Sequence, residues 1–515
     1  MIPVAEALCR PEAYPHAVEI PIRVVETHIS RVFLTGSYAY KLKKPVNLGF
    51  LDFSTLERRR HCCHEELRLN RRLCPDLYID VLPVTADGDG FRIGGDGPVA
   101  DYVVRMAQFD RSFELDRMLA SGELSPERIR EIAGIVSWFH RSAPPAPSSS
   151  AYGTPEVLLV PMIENLDRTE NLEHSAEECE AIEAVRSWTV AEHRRLDEVL
   201  RRRKEEGFVR ECHGDMHTGN MVVWNGKVMI FDCIDFNPNL SVIDVMSDAA
   251  FLFMDLQHSG SPGLAWVFLN TYLSNGGDYG GLRVLRLYCT YRAMVRAKVT
   301  AIRLMQESDP ESLRATLEEH RSYLSLALEY VHPEPPVLLL MNGVSGSGKS
   351  VVAAKLSESG GFVHVRSDIE RKRLFGIAPL LGSRPSGIDI YTREATEQTY
   401  RILLDAAESA ISGNWPVIVD ATFLRESQRR PFIELAGRLG CRCRILSLTA
   451  PEEILRMRLI ERLAHGADPS EADLAVLEVQ LGSAEPLGEK EKALSVSIDT
   501  QGPIDYAALA TALAR

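Results

Sequence analysis

Residues 212–224 read "CHGDMHTGNMVVW". A carboxylate, a histidine and an asparagine fall within a few residues, and the chain then runs into an apolar strand. A turn capped by Asp215 and ended by Asn220 accounts for the short His213-Gly214-Asp215 group alone. It does not account for the strand "KVMIFDCID" that follows and delivers Asp232 and Asp235. Phosphoryl transfer from ATP to a hydroxyl asks little covalent chemistry of a protein. It needs an acidic side chain to orient or deprotonate the hydroxyl, and ligands for the magnesium ions that neutralise the phosphates. On that basis Asp215 is expected as the base, Asn220 and Asp232 as magnesium ligands, and His213 as a prop for the loop. Counting forward from Asn220 favours Asp232; counting back from Ser247-Asp248 favours Asp235.

The bulk numbers set the frame. A chain of 515 residues accommodates about three folding units. With 45% hydrophobic and 25% charged residues it is expected to be globular, not disordered. No stretch reaches the roughly 18 apolar residues of a membrane helix, so no membrane partner is expected. The first twenty residues lack a basic region followed by an apolar one, so no signal peptide is expected. The 10 cysteines are scattered without a CxxC pair and fit packed thiols in a reduced cytoplasm. A net charge of −14 speaks against a general nucleic-acid binder, although a local basic site is compatible with it.

Upstream of the opening stretch, residues 20–53 alternate like strands, with Thr35-Gly36-Ser37 as a hairpin turn. Residues 54–73 read as a helix capped by Ser54 or Thr55, carrying Glu66 on the same face as Leu69 and Leu73. Strand-like residues 78–109 follow, then helices to about 207, broken by the Pro/Ser-rich loop "SAPPAPSSSAYGTP". More helices run from the opening stretch to about 331. A small strand-rich lobe thus precedes a larger helical one. Asp215 and Asn220 share the spacing of the protein-kinase motif H-R-D-x-x-x-x-N. Residues 1 to about 330 resemble the aminoglycoside phosphotransferase and choline kinase group, a branch of the protein-kinase-like fold. The resemblance implies an N-lobe lysine on the ATP phosphates and a helix glutamate that orients it. "AYKLKKP" offers Lys41, with Lys43 on the same strand face, and Glu66 with Glu65 as its rival. It also implies a hinge at "YVVRMAQF" meeting adenine near Met106 and Gln108. No G-x-G-x-x-G precedes the lysine, so the cover of the phosphates has no identified residues.

"VHPEPPVLLLMNG" marks the main boundary: prolines end a helix and a buried strand begins. Beyond it, apolar strands alternate with amphipathic helices, the pattern of a parallel α/β sheet. Domains are expected at 1–332 (N-lobe to about 107, C-lobe from about 108) and 333–515. Gly343-Val-Ser-Gly-Ser-Gly348-Lys349-Ser350 matches G-x-x-x-x-G-K-[ST] in full. The backbone from Gly343 through Ser345, Gly346, Ser347 and Gly348 wraps phosphates, Lys349 reaches the β and γ oxygens, and Ser350 ligates magnesium. Asp368, at the end of the next strand, is expected as a base, with Arg371 on the acceptor. Asp420 ends a further strand at the ligand-binding edge of the sheet and is expected on the substrate. Arg458 and Arg462 share a helix face and suit the transferring phosphate. Residues 335–510 resemble P-loop kinases such as polynucleotide 5′-hydroxyl kinase, gluconate kinase and zeta toxin. That resemblance implies Asp368 as the base and Arg462 as the lid arginine.

Two phosphoryl-transfer sites of unrelated folds are therefore expected in one chain, each using ATP and Mg2+ on a small-molecule hydroxyl. The alternative is a C-terminal polynucleotide or nucleotide 5′-hydroxyl kinase assisted or regulated by the first half. The chain resembles a bacterial fusion family of this composition, which does not supply an acceptor.

Overall fold

The computed structural model describes residues 3–47, 49, 51–170, 174–378, 390–465, 469–506, 508, 509 and 513. Its packing divides into two compact units. One takes residues 1–125, 139–161 and 200–255; the other takes 126–138, 162–199 and 256–515.

The first unit opens with an antiparallel sheet in the order β1-β2-β3-β6-β4-β5. The strands are β1 (Arg23–Glu26), β2 (Ser30–Leu34), β3 (Tyr38–Lys43), β4 (Tyr78–Asp87), β5 (Gly90–Ile93) and β6 (Val99–Ala107). The expected hairpin joins β2 to β3, closed by Thr35 N and Oγ1 on Tyr38 O. Side chains alternate along a strand. Tyr40 and Leu42 of β3 therefore enter the core with Phe33, Val84 and Val103, while Lys41 and Lys43 share the other face. Helix α1 (Leu56–Asn70) starts at Thr55, whose Oγ1 accepts from Arg58 N. A cap of this kind contributes about 1 kcal/mol. The helix buries Cys62, Cys63, Glu66 and Leu69. Two short antiparallel pairs then frame the quoted stretch: β7 (Val209–Glu211) with β10 (Val242–Asp244), and β8 (Met221–Trp224) with β9 (Lys227–Ile230). Helix α2 (Val245–His258) follows them.

The second unit contains α3 (Pro262–Gly276), α4 (Leu282–Leu304) and α5 (Pro310–Val331), followed by a five-stranded parallel sheet. The sheet order is β12-β13-β11-β14-β15, from β11 (Val337–Asn342), β12 (Val363–Arg366), β13 (Val417–Asp420), β14 (Arg442–Thr449) and β15 (Ser495–Asp499). "VLLLM" of β11 and "VIVD" of β13 are buried along their whole length, as strands covered on both faces must be. The connecting helices are α6 (Lys349–Gly360), α7 (Ser367–Leu374), α8 (Arg393–Ser412), α9 (Glu426–Leu439), α10 (Glu452–His465) and α11 (Leu474–Ser483). The architecture is the expected one, a kinase-like α+β region and then a parallel P-loop sheet. Strand β15 is an addition that the sequence reading did not include.

Packing runs across the proline stretch. Asn270 of α3 receives His364 N at 2.8 Å and donates to Phe362 O at 3.0 Å, covering the edge of β12. An uncovered strand edge invites aggregation. Arg286 of α4 stacks on Trp415, 4.1 Å from the ring centroid, and donates to Asn414 O at 2.7 Å. Trp415 Nε1 in turn donates to Leu282 O at 3.2 Å. Helix α7 is anchored similarly, by Tyr279 on Glu370 at 3.1 Å.

Candidate functional site

Five charged side chains meet where β3, α1 and the loop after β9 come together. Lys41 Nζ lies 2.8 Å from Glu66 Oε1 and 2.5 Å from Asp232 Oδ1. Lys43 Nζ lies 2.8 Å from Glu66 Oε2 and 2.7 Å from Asp235 Oδ2. The sequence left Lys41 against Lys43, and Asp232 against Asp235, open. The fold engages all four and separates them by depth: Asp235 is 7% exposed and Asp232 46%. Lys43–Asp235 is an internal strut, and Lys41–Asp232 is the pair a ligand can reach. Asp232 also sits at φ +64°, a backbone region that residues other than glycine rarely occupy. Glu65 instead pairs with Arg68 on the surface.

The charges do not balance, with two lysines against three carboxylates. Burial opposes ionisation of Glu66, yet Lys41 and Lys43 hold its carboxyl down at about 2. Burial likewise opposes the charge on Lys41, and Asp232 and Glu66 override it, raising it above the usual lysine range. Burial pushes Asp235 up to about 6, with Lys43 pulling the other way. The surplus negative charge fits a divalent cation at the exposed carboxylate, Asp232.

The quoted loop is held by backbone and buried carboxylates. Asn220 Nδ2 donates to Asp215 Oδ2 at 3.0 Å, which leaves the amide oxygen for a cation. His213 is buried, and burial lowers its pKa. As a neutral ring its Nδ1 accepts from Asp215 N at 3.2 Å and its Nε2 donates to Phe231 O at 2.9 Å. Ile234 N donates to His213 O at 3.0 Å, and Phe231 N to Asn220 O at 2.9 Å. The loop carrying Asp215 and the loop carrying Asp232 are thereby laced together. Gly214 sits at φ +87°, where a Cβ would come 2.6 Å from Leu240 O. Asp248 accepts from the backbone N–H of His213 and of Gly214, each at 2.9 Å. Asp255 accepts from Thr218 N at 2.9 Å and from its hydroxyl at 2.6 Å. Sequence reasoning used Asp248 only as a counting mark and missed Asp255. The available signal was two aspartates seven residues apart in the otherwise apolar "SDAAFLFMD".

Of the hinge residues, Met106 lies opposite Ala39 in the β3–β6 register. Gln108 serves the β2–β3 turn: its Oε1 accepts from Gly36 N at 2.9 Å and its own N–H donates to Ser37 O at 3.2 Å.

In the second unit a cavity of about 1720 Å3 opens over the loop that leaves β11, with Ser345, Gly346, Gly348, Lys349 and Ser350 in its wall. Gly343 and Ser347 lie behind that wall. A Cβ on Gly343 would meet Leu448 O at 2.6 Å, and Ser347 is fully buried. Lys349 Nζ donates to Val344 O at 2.9 Å. Burial lowers Lys349 to about 8, against the opposing pull of Asp420 and Asp368. Asp368, in the first turn of α7, lines the cavity. Arg371 donates to Ile390 O at 3.0 Å and Thr396 Oγ1 at 3.1 Å.

Two lining residues make contacts that the sequence did not indicate. Asp420 was expected on the substrate, but β13 lies directly beside β11, so its last residue abuts the loop leaving β11. There Asp420 accepts hydrogen bonds from Ser350 and, at 3.2 Å, from His364. Burial opposes its charge, and these bonds hold it at about 2. A carboxylate paired with the P-loop serine fits magnesium better than an acceptor. Arg458 was expected on the phosphates. It lines the cavity and also donates to Gly346 O at 3.2 Å and Thr500 O at 2.6 Å, which braces the loop. Arg462 lines the cavity near Lys349 and donates to Ala472 O at 2.6 Å. A residue the sequence did not suggest, Gln480 of α11, accepts from Ser345 N at 2.7 Å, one of the loop donors expected to face phosphate.

Residues 81–288 match a family model described as the phosphotransferase enzyme family, and residues 338–487 match one described as an AAA domain. Uncharacterized proteins of Mycobacterium tuberculosis (strain H37Rv) and Mycobacterium bovis are each 28% identical over 484 residues, covering 92% of this chain and 93% of theirs. Among solved structures, a choline/ethanolamine kinase family protein from Mesorhizobium loti is 13% identical and covers 63% of this chain and 98% of its own, at a TM-score of 0.37. A gluconokinase from Sinorhizobium meliloti is 22% identical and covers 35% of this chain and 91% of its own, at a TM-score of 0.26.

Proposed function

We propose that this chain, in which a phosphotransferase-family domain is joined to a P-loop kinase domain, is a bifunctional ATP-dependent kinase. Its domains are taken as 1–332 and 333–515. Each half transfers the γ-phosphate to a hydroxyl of a small molecule. In the first half Asp215 accepts the hydroxyl proton, Lys41 holds ATP phosphates, and Asn220 and Asp232 hold magnesium. In the second half Asp368 takes the proton, and Lys349 and the loop N–H groups hold the phosphates. Ser350 and Asp420 hold magnesium there, and Arg462 meets the charge that develops on the transferring group. Magnesium, when bound, supplies charge neutralisation at the phosphates.

The observation that carries this reading is that each unit gathers its own cluster of charged side chains. In one, Lys41, Glu66 and Asp232 form an ion-paired chain beside the Asp215–Asn220 contact. In the other, Lys349, Asp368, Asp420 and Arg462 all line one cavity. The test is magnesium-dependent ATP consumption against separate pools of sugars, nucleosides, aminoglycosides and 5′-hydroxyl oligonucleotides. Wild type, Asp215→Ala and Lys349→Ala are run side by side. Two pools responding, each silenced by a different substitution, supports two kinases. Consumption that vanishes with Lys349→Ala and is untouched by Asp215→Ala supports the alternative of one C-terminal kinase with a regulatory N-terminal half.

A further inference from the structure

The cavity over the P-loop has two wings of opposite character. On the β15 side its wall is Thr500, Gly502, Pro503, Ile504 and Tyr506, which carry no charge. On the β13 side the wall comes from α7, α8 and the start of α9, and it is rich in arginine: Arg371, Arg393, Arg401 and Arg425. The acidic groups on that side are Asp368, already assigned as the base, Asp420 at the end of β13, which is engaged by Ser350 and His364, and Glu397. Arg393 and Glu397 satisfy each other at 2.9 Å. Arg371, Arg401 and Arg425 have no carboxylate partner among the described residues. In a chain of net charge −14, three such guanidiniums in one wing of one cavity stand out.

Arg371 is the informative member. It is only 7% exposed, and its planar face lies 5.1 Å from the ring centroid of Tyr391. One nitrogen is spent on Ile390 O and Thr396 Oγ1, while its buried Nε has no hydrogen-bond partner. A buried N–H donor left unpaired is costly, and a guanidinium most of all. Such a fork is suited to a planar carboxylate or to phosphate oxygens. Low-dielectric walls focus the field of the three cations into the cavity.

We propose that the acceptor of the P-loop half is a small hydroxyl compound bearing an anionic group, a carboxylate or a phosphate. Arg371, Arg401 and Arg425 hold that group, and the acceptor hydroxyl faces Asp368. The uncharged wing takes the nucleotide base. The inference rests on the kinase reading of this half. In the reaction the acceptor oxygen forms a bond to the γ-phosphorus, the bond from that phosphorus to the bridging oxygen of ADP breaks, and the hydroxyl proton passes to Asp368.

Two measurements test it. The first reads binding without turnover. Protein saturated with magnesium and a non-hydrolysable ATP analogue is titrated with sulfate at constant ionic strength, and its melting temperature is followed. Sulfate raises the melting temperature of wild type, and that increment disappears in the double variant R401Q/R425Q, while the increment from the nucleotide analogue remains. An equal sulfate increment in both proteins overturns the proposal. The second reads transfer of labelled γ-phosphate to matched pairs: a sugar acid and its sugar, a sugar phosphate and its sugar, a nucleoside monophosphate and its nucleoside. Label that depends on Lys349 goes to the charged member with kcat/KM at least about tenfold higher. In R401Q/R425Q the KM of that acceptor rises by about tenfold or more, with kcat little changed. Label on the neutral members, or on a 5′-hydroxyl oligonucleotide ahead of every small acceptor, overturns the proposal. If sulfate binding depends on the two arginines and no acceptor is labelled, the anionic site stands and the kinase reading of this half falls.

Discussion

The two candidate sites are assembled from different kinds of parts. Around Lys41 the chain gathers side chains from distant stretches: the lysine comes from β3, Glu66 from α1, and Asp232 lies 191 residues from Lys41. Around Lys349 most of the phosphate cradle comes from eight consecutive residues, and their backbone N–H groups supply it. The first site is an ion-pair network, so its charges are fixed by one another. The second is a loop around one lysine that makes no ion pair among the described residues, and Asp420 and Asp368 only partly offset the burial that opposes its charge. The difference teaches where each site is vulnerable, and the following outcomes sharpen or break it.

The largest effects fall on turnover. Asp215→Ala lowers kcat of the N-terminal activity by about 10²–10⁴ and leaves the other activity intact. Lys349→Ala lowers the P-loop activity by about 10²–10³ or more and spares the first. Steady-state kinetics on each acceptor reads both, and loss of both activities from either change, with folding intact, breaks the separation.

Next comes stability. Glu66 is shared by both lysines, so Glu66→Gln costs about 3–5 kcal/mol, read by denaturant unfolding, and Asp235→Asn costs less. The carboxyl of Glu66 is held at about 2 in the fold, below its ordinary 4.5. Its contribution is therefore present above about 4.5 and is lost as pH falls from there through about 2. The gap between wild type and Glu66→Gln closes over that window. A constant gap breaks the network account.

A pH contrast between the halves follows. Lys349 is lowered to about 8, and in the proposed function its ammonium holds phosphate. KM for ATP in the P-loop half therefore rises as pH climbs through about 8, by about tenfold per pH unit at the limit. Lys41 is raised by Asp232 and Glu66, so the N-terminal half keeps its KM over the same range. Parallel pH profiles in both halves contradict this contrast.

The smallest effect concerns Gln480, which covers Ser345 N. Gln480→Ala frees that donor and tightens ATP binding in the P-loop half by about two- to threefold, measured by calorimetry. Weaker binding shows that Gln480 belongs to the nucleotide site.

The same contrast explains what the sequence disclosed. The P-loop was legible because its chemistry is contiguous, and the strand order β12-β13-β11-β14-β15 places its partners at one sheet edge. The neighbours of Asp420 were not legible, because a sequence shows that a strand ends in aspartate but not which strand lies beside it. Arg458 and Arg462 share a helix face and both line the cavity, but nothing in the sequence showed that Arg458 also holds Thr500, 42 residues away. In the first half Asp215 and Asn220 stood at readable spacing. Alternation put Lys41 and Lys43 on one face but could not say which lies deeper; that depends on how α1 and the loop after β9 close over them. Asp248 and Asp255 looked like ordinary helix residues because their partners are backbone N–H groups 35 and 37 residues away. The anchoring of β12 and Trp415 by α3 and α4 left no sequence pattern at all.

The most direct test of the central claim is nucleotide stoichiometry. Equilibrium dialysis with magnesium and a non-hydrolysable ATP analogue would count bound nucleotide per chain in wild type, Lys41→Ala and Lys349→Ala. Two independent sites predict two nucleotides in wild type and one in each variant, each variant keeping a different affinity. One nucleotide in wild type, lost with Lys349→Ala and kept with Lys41→Ala, would contradict the claim.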